Sequence, residues 1–104
     1  MGNVKSINIG LIGAGIVGGG VVKNLTRNAD LIAERLGLRL HLKWVCDKDA
    51  GKLAALPVPA AAKTADYRQV LDDPEVPIVV ELIGGTGFAR TLILEALQDR
   101  KSVV

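Results

Sequence analysis

The sequence predicts an α/β fold: a doubly wound parallel sheet of about five strands with helices on both faces. Three observations point to it. Short strand-like runs alternate with helical stretches in the order βαβαβαβαβ. The runs SINIGLI and PIVVELI are largely apolar, like strands covered on both sides rather than one. Each of them runs into glycines, the first within LIGAGIVGGG and the second at Gly84 and Gly85.

The elements follow in order. Ser6 to Ile12 is the first strand. Val17, Val21, Leu25, Ile32 and Leu36 then mark one stripe of a single long helix, which Gly37 ends. Leu38 to Cys46 alternates, with Leu40, Leu42, Trp44 and Cys46 on one face and Arg39, His41, Lys43 and Val45 on a more polar one. DKDAGKLAAL offers a short, weak helix. VPAAAK is a short third strand at best, broken by Pro57 and Pro59. Asp66 and Gln69 have the spacing of a capping box over YRQVL, and DDPEVP is a turn. Pro77 to Ile83 is the fourth strand. Thr86 is a good N-cap for the helix FARTLILEALQDR, and KSVV begins a fifth strand.

Size and charge bound the function. The 104 residues make one domain, 1–104. Hydrophobic residues are 49% of the chain, enough for a core, and a net charge of +2 with scattered Lys and Arg argues against nucleic acid as a partner. The one cysteine, Cys46, forms no intrachain disulfide and fits a reducing, cytoplasmic setting. No apolar run reaches the ~18 residues a membrane span needs, and no signal peptide, metal cluster or nucleophile–base pair can be assembled.

The glycines between the first strand and the helix carry the chemistry. Glycine is the second-worst helix former, yet Gly13, Gly15 and Gly18 form G-x-G-x-x-G in its required strand-to-helix context. Gly13 permits the tight turn, Gly15 lets backbone approach a pyrophosphate, and Gly18 lets the helix pack closely. The helix N-terminus adds unpaired N–H groups and partial positive charge. This is the Rossmann-type arrangement for a nicotinamide dinucleotide. The alternative is a tight turn without a ligand. Gly19 and Gly20 exceed the motif, either for close approach to a neighbour or for room near the cofactor.

An acidic residue ending the second strand is the motif's other half. Asp47 occupies that place, farther along than the usual ~20 residues because the helix is long. There it accepts from the ribose hydroxyls and leans toward NAD, or else it caps the helix in DAGKL. Lys48, and more weakly Lys63, are candidates to pair with a 2′-phosphate, against a plain reading as surface charges. Gly84 and Gly85 lie across the point where strand order reverses. Thr86 donates to the ligand or caps its helix. Glu81 is a satisfied buried carboxylate or a group facing the site. His41, Cys46 and Trp44 read as structural.

INIGLIGAGIVGGGVV, NADLIAERLGL, WVCDKD and above all DDPEVPIVVELIGGTGFARTLILEALQDRKSVV resemble the N-terminal part of homoserine dehydrogenase over essentially the whole chain. The resemblance implies a domain binding NADP or NAD. It implies a homo-oligomeric parent that interconverts aspartate 4-semialdehyde and homoserine by hydride transfer, on the route to threonine and methionine. Gly13, Ala14, Gly15, Ile16, Val17 and Gly18 match the family's pyrophosphate loop. Ile83, Gly84, Gly85 and Thr86 match its loop near the nicotinamide end. The position of Lys48 often carries Arg in members that use NADP, and Asp47 departs from those members. A T-A-N-K-like segment would follow Val104, so the resemblance marks the chain as a fragment that binds cofactor without catalysing and contains no catalytic residue. The rival reading is a stand-alone nucleotide-sensing module.

Overall fold

A computed structural model describes residues 5–83, 93 and 102–104. Five strands form one parallel sheet: β1 (Lys5–Ile12), β2 (Leu38–Cys46), β3 (Lys63–Thr64), β4 (Ile78–Glu81) and β5 (Ser102–Val103), in the spatial order β3-β2-β1-β4-β5. The chain winds outward in one direction through β2 and β3, then returns to the far side of β1 for β4. Parallel neighbours joined through helices cover both faces, as the apolar strands require. The predicted helix FARTLILEALQDR lies, apart from Ile93, outside the described residues.

Each face has its own core. On one side Leu11 of β1 and Val45 of β2 pack with Val22, Leu53 and Leu56. Val22 belongs to α1 (Ile16–Arg27), Leu53 to α3 (Ala50–Ala54), and Leu56 follows it. On the other side Ile12, Cys46 and Val79 pack with Val70 and Leu71 of α4 (Tyr67–Leu71) and with Val76.

The helical stretch after the glycines differs from the single helix expected. It is two: α1, and α2 (Ala29–Leu36). Asn28 leaves helical geometry at φ −109° and ψ 23° between them, with its side chain hydrogen-bonded to that of Asn24. A short amide side chain that bonds locally competes with the helical ladder. The buried stripe is also turned from the expected one. Val22 is 0% exposed and Ala33 is buried, whereas Val17 is 63% exposed and Leu36 56%. Gly37 ends α2 as expected, left-handed at φ 72°, its N–H reaching the Ala33 carbonyl at 2.9 Å.

β2 departs from simple alternation as well. Ile9 pairs with Leu42 but Gly10 pairs with Trp44, so Lys43 is an extra residue in the ladder, a β-bulge. Beyond it the faces exchange. Leu42 and Val45 join the α1 side, while Trp44 and Cys46 join the α4 side. Val45, expected on the more polar face, is completely buried. VPAAAK holds a 3₁₀ turn at Ala60–Ala62, and β3 pairs only at its end, Lys63–Thr64. The capping box forms in half: Asp66 accepts from the Arg68 N–H at 2.9 Å, but the Asp66 N–H donates to Thr64 Oγ1 at 3.0 Å, and Gln69 bonds Thr64 instead.

The bulge is pinned by Asp73, just after α4. Its Oδ2 accepts from Lys43 Nζ at 2.7 Å and from the Trp44 indole N–H at 2.8 Å, while Oδ1 accepts from the Glu75 N–H at 2.9 Å. Burial alone would raise this carboxyl, but the bonds from Lys43 and Trp44 outweigh it and hold it at about 2, below its ordinary 3.8. The folded value is the lower one, so the stabilisation is full above 3.8 and lost as pH falls through about 2. Asp73→Ala is expected to cost about 1–3 kcal/mol near neutral pH, read by urea unfolding through the single tryptophan. The gap to the parent chain should narrow between about pH 4 and pH 2; a gap independent of pH would remove the charge from this account.

Candidate functional site

The ligand-facing rim of such a sheet lies beyond the carboxyl ends of its strands. At the end of β1 the ladder continues one residue further, the Gly13 N–H donating to the Cys46 carbonyl at 2.8 Å. Gly13 then turns at φ +109°, where a Cβ would stand 2.8 Å from the Leu82 carbonyl carbon and 2.9 Å from the Ile83 nitrogen. Both the backbone angle and the neighbours demand glycine there. At Gly18 a Cβ would overlap the Gly13 carbonyl oxygen, so the first turn of α1 rests directly on the loop that precedes it. Gly15 is the N-cap residue, and no side chain caps α1. A Cβ on Gly15 would meet nothing within 4 Å. The leading N–H groups of α1 thus begin at a bare position that faces open space. Ile16 opens the helix, and Val17 points outward.

Asp47 follows β2 and ties the rim together. Its Oδ2 accepts from the buried Ala14 N–H at 2.7 Å and its Oδ1 from the Asp49 N–H at 2.8 Å. Desolvation pushes its carboxyl upward, but these two backbone bonds and the Lys52 ammonium more than compensate, leaving it below its ordinary value and ionised at neutral pH. Asp47 is not the cap of α3. That task falls to Asp49, whose Oδ1 accepts from the Gly51 and Lys52 N–H groups at 2.9 and 3.3 Å. The carboxylate of Asp47 therefore reaches back to the glycine loop instead of forward into the next helix.

Gly13, Gly15, Asp47, Lys48 and Ile83 come together along one cleft of about 410 Å³, a size ordinary for small-molecule sites. Val17 and Gly18 do not line it, nor does Lys63; Gly18 supports it from behind. Gly84, Gly85 and Thr86 lie outside the described residues. Glu81 accepts from the Ile83 N–H at 2.7 Å, so its carboxylate shapes the turn after β4. Lys52, Ala65 and Tyr67 also line the cleft and escaped the sequence reading. Ala65 and Tyr67 follow β3 directly, and the rim rule would have found them had that strand been placed at Lys63–Thr64. Cys46 adjoins the cleft, but burial and the Asp47 carboxylate push its thiol up to about 11, which leaves it unreactive. A Cβ on Gly19 would make only an ordinary contact with Leu56 at 3.7 Å and one on Gly20 would meet nothing within 4 Å, so neither is required by a close neighbour.

Comparison with known proteins agrees with this geometry. The family described as homoserine dehydrogenase, NAD binding domain, matches residues 13–104. The chain is 36% identical to a homoserine dehydrogenase of Bacillus subtilis over 97% of its own length and 23% of the relative's. It is 41% identical to one from Methylobacillus glycogenes, covering 97% of this chain and 24% of that one. The crystal structure of a homoserine dehydrogenase from Thiobacillus denitrificans superposes with a TM-score of 0.87 at 39% identity, over 99% of this chain and 24% of the other. The chain spans about a quarter of the length of the relatives it matches.

Two glycines of α1 should respond oppositely to the same change. Gly18→Ala must displace backbone and is expected to lose several kcal/mol of stability, or to leave the chain unfolded. Gly20→Ala, exposed within the helix, should gain about 0.5–1 kcal/mol. Denaturant midpoints of the two variants check both; equal midpoints would contradict the packing described.

Proposed function

The chain belongs to the homoserine dehydrogenase family as its NAD-binding domain, and from that membership we propose that the protein it represents interconverts aspartate 4-semialdehyde and homoserine by hydride transfer. That step lies on the route to threonine and methionine, and we place it in the cytoplasm, in a homo-oligomer. Residues 1–104 are one unit whose part is to hold the nicotinamide dinucleotide. The observation that carries this is the joining of Asp47 to Ala14: a carboxylate at the end of β2 and an uncapped helix start are locked into one cleft.

The residues fit the cofactor. Gly15 would admit the pyrophosphate against the N–H groups of α1. Asp47, already ionised, has lone pairs left for two ribose hydroxyls. The same charge repels a 2′-phosphate, which supports NAD as the preferred form, with Lys48 and Lys52 as the basic groups nearest to an alternative NADP. The bound nicotinamide would accept or donate the hydride. Hydride transfer also needs the carbonyl carbon held at about 3–3.5 Å and an acid for the developing alkoxide, and these residues span only about a quarter of the relatives' length. Binding without turnover is therefore the behaviour expected of these 104 residues alone. The relatives support this reading over a nucleotide-sensing module.

Titration calorimetry with NAD⁺ and NADP⁺ tests it. NAD⁺ should bind more tightly, and Asp47→Ala should weaken NAD⁺ about 10- to 100-fold, the worth of charged hydrogen bonds, while sparing NADP⁺. Equal losses for both would take the ribose role from Asp47. Gly15→Val should unfold at nearly the same denaturant concentration as the parent chain, since nothing crowds that position, yet lose both nucleotides.

A further inference from the structure

We propose that Asp73, which does not line the cleft, is a positioning residue for the dinucleotide: it selects the bulged form of β2, and that form carries Asp47 to the glycine loop. The effect on affinity rests on the dinucleotide reading above; the effect on Asp47 does not.

Successive side chains of a regular strand point to opposite faces of its sheet. Lys43 and Trp44 are successive, yet one oxygen of Asp73 accepts from both, from Lys43 Nζ at 2.7 Å and from the Trp44 indole N–H at 2.8 Å. Asp73 follows α4, and Trp44 packs against the core on that side, so both side chains leave β2 toward α4. A regular β2 could offer this carboxylate only one of them. The extra residue between the Ile9–Leu42 and Gly10–Trp44 pairs lets it offer both. The second bond therefore exists only in the bulged form and draws the strand into it.

The carboxylate is held firmly enough to do this. Its side chain is only 12% exposed, so solvent competes little for its bonds. Its Oδ1 takes the Glu75 N–H at 2.9 Å, and the Glu75 carbonyl takes the side-chain amide of Asn8 at 2.9 Å. Asn8 belongs to β1, the strand against which β2 is aligned. Beyond the bulge Val45 packs on the α1 side, and Asp47 shares that side, where its Oδ2 accepts from the buried Ala14 N–H at 2.7 Å. In a regular β2 these residues would change faces. Asp47 would leave the strand toward α4, and the Ala14 N–H would lose its acceptor. The affinity for a ligand held by Asp47 then falls with the fraction of chains that remain bulged.

The Ala14 amide resonance of ¹⁵N-labelled protein reports its bond to Asp47 with no ligand present, and Asp47→Ala marks where it lies when that bond is gone. In Asp73→Ala the resonance should move toward that mark or divide between the two positions. Calorimetry should then show NAD⁺ weakened about 3- to 10-fold. In the Asp47→Ala background the same change should cost NAD⁺ nothing further, because Asp73 acts through Asp47. A loss carried in full in both backgrounds is general damage to the fold and overturns the proposal, as does an Ala14 resonance that stays in place. Asp73→Asn keeps an acceptor for Trp44 but no charge for Lys43. It should fall between Asp73→Ala and the parent chain, and it decides the matter by the same resonance if Asp73→Ala does not fold. If NAD⁺ does not bind the parent chain, the dinucleotide reading falls, and the Ala14 resonance still shows whether Asp73 holds Asp47 in place.

Discussion

The first turn of α1 sits on the carbonyl of Gly13, and the placement of the rest follows from that contact. Because a Cβ at Gly18 would overlap that oxygen, the helix axis is fixed hard against the end of β1. That position decides which side of α1 faces the sheet: Val22, one turn on, becomes fully buried, and Val17 is turned out. It also decides what the helix start points toward. With Gly15 at the N-cap and no side chain capping the helix, the partial charge of the N-terminus is left for something other than the chain's own side chains. A helix beginning one residue later, or standing off by the width of a methyl group, would bury a different face and aim elsewhere.

Charge on the rim is arranged around the same contact. Asp47 is drawn down, not left as a free carboxylate, because the loop donates a buried N–H to it and the following turn donates another. The loop thus gains an anchor on β2, and the carboxylate stays ionised despite its partial desolvation. Lys52 contributes to this balance from α3, a helix held in place by Asp49. Two acids two residues apart have divided the work, one capping a helix and the other joining strand to loop.

Much of this was legible in the residues. The apolar strands, the glycine spacing and the acid after β2 gave the sheet, its winding and the cleft's main members, since each follows from a local requirement. What stayed hidden depended on neighbours distant in sequence. Alternation placed Val45 outward because nothing in LRLHLKWVC announces that Lys43 is extra; the partner that makes it so, Asp73, lies far along the chain. The break at Asn28 is local but weakly marked, as asparagine also sits within helices. Tyr67 was missed because β3 is only two residues long and lies after its prolines, not among them. Gly84, Gly85 and Thr86 fall outside the described residues, so their part rests on the sequence alone.

The extra residue in β2 acts as a phase correction. A parallel strand buried on two sides can keep perfect alternation only if both partners on either side of it agree about odd and even positions throughout. Here they agree below Lys43 in one sense and above it in the other. Val45 and Asp47 fall on the same count, so the inserted lysine determines the side of the sheet from which the carboxylate leaves the strand. Were Lys43 an ordinary member of the ladder, plain alternation would put every later residue of β2 on the opposite side, sending Asp47 toward α4 and away from the loop it now secures. The parity of a strand can thus be as much a part of a binding site as the groups that touch the ligand.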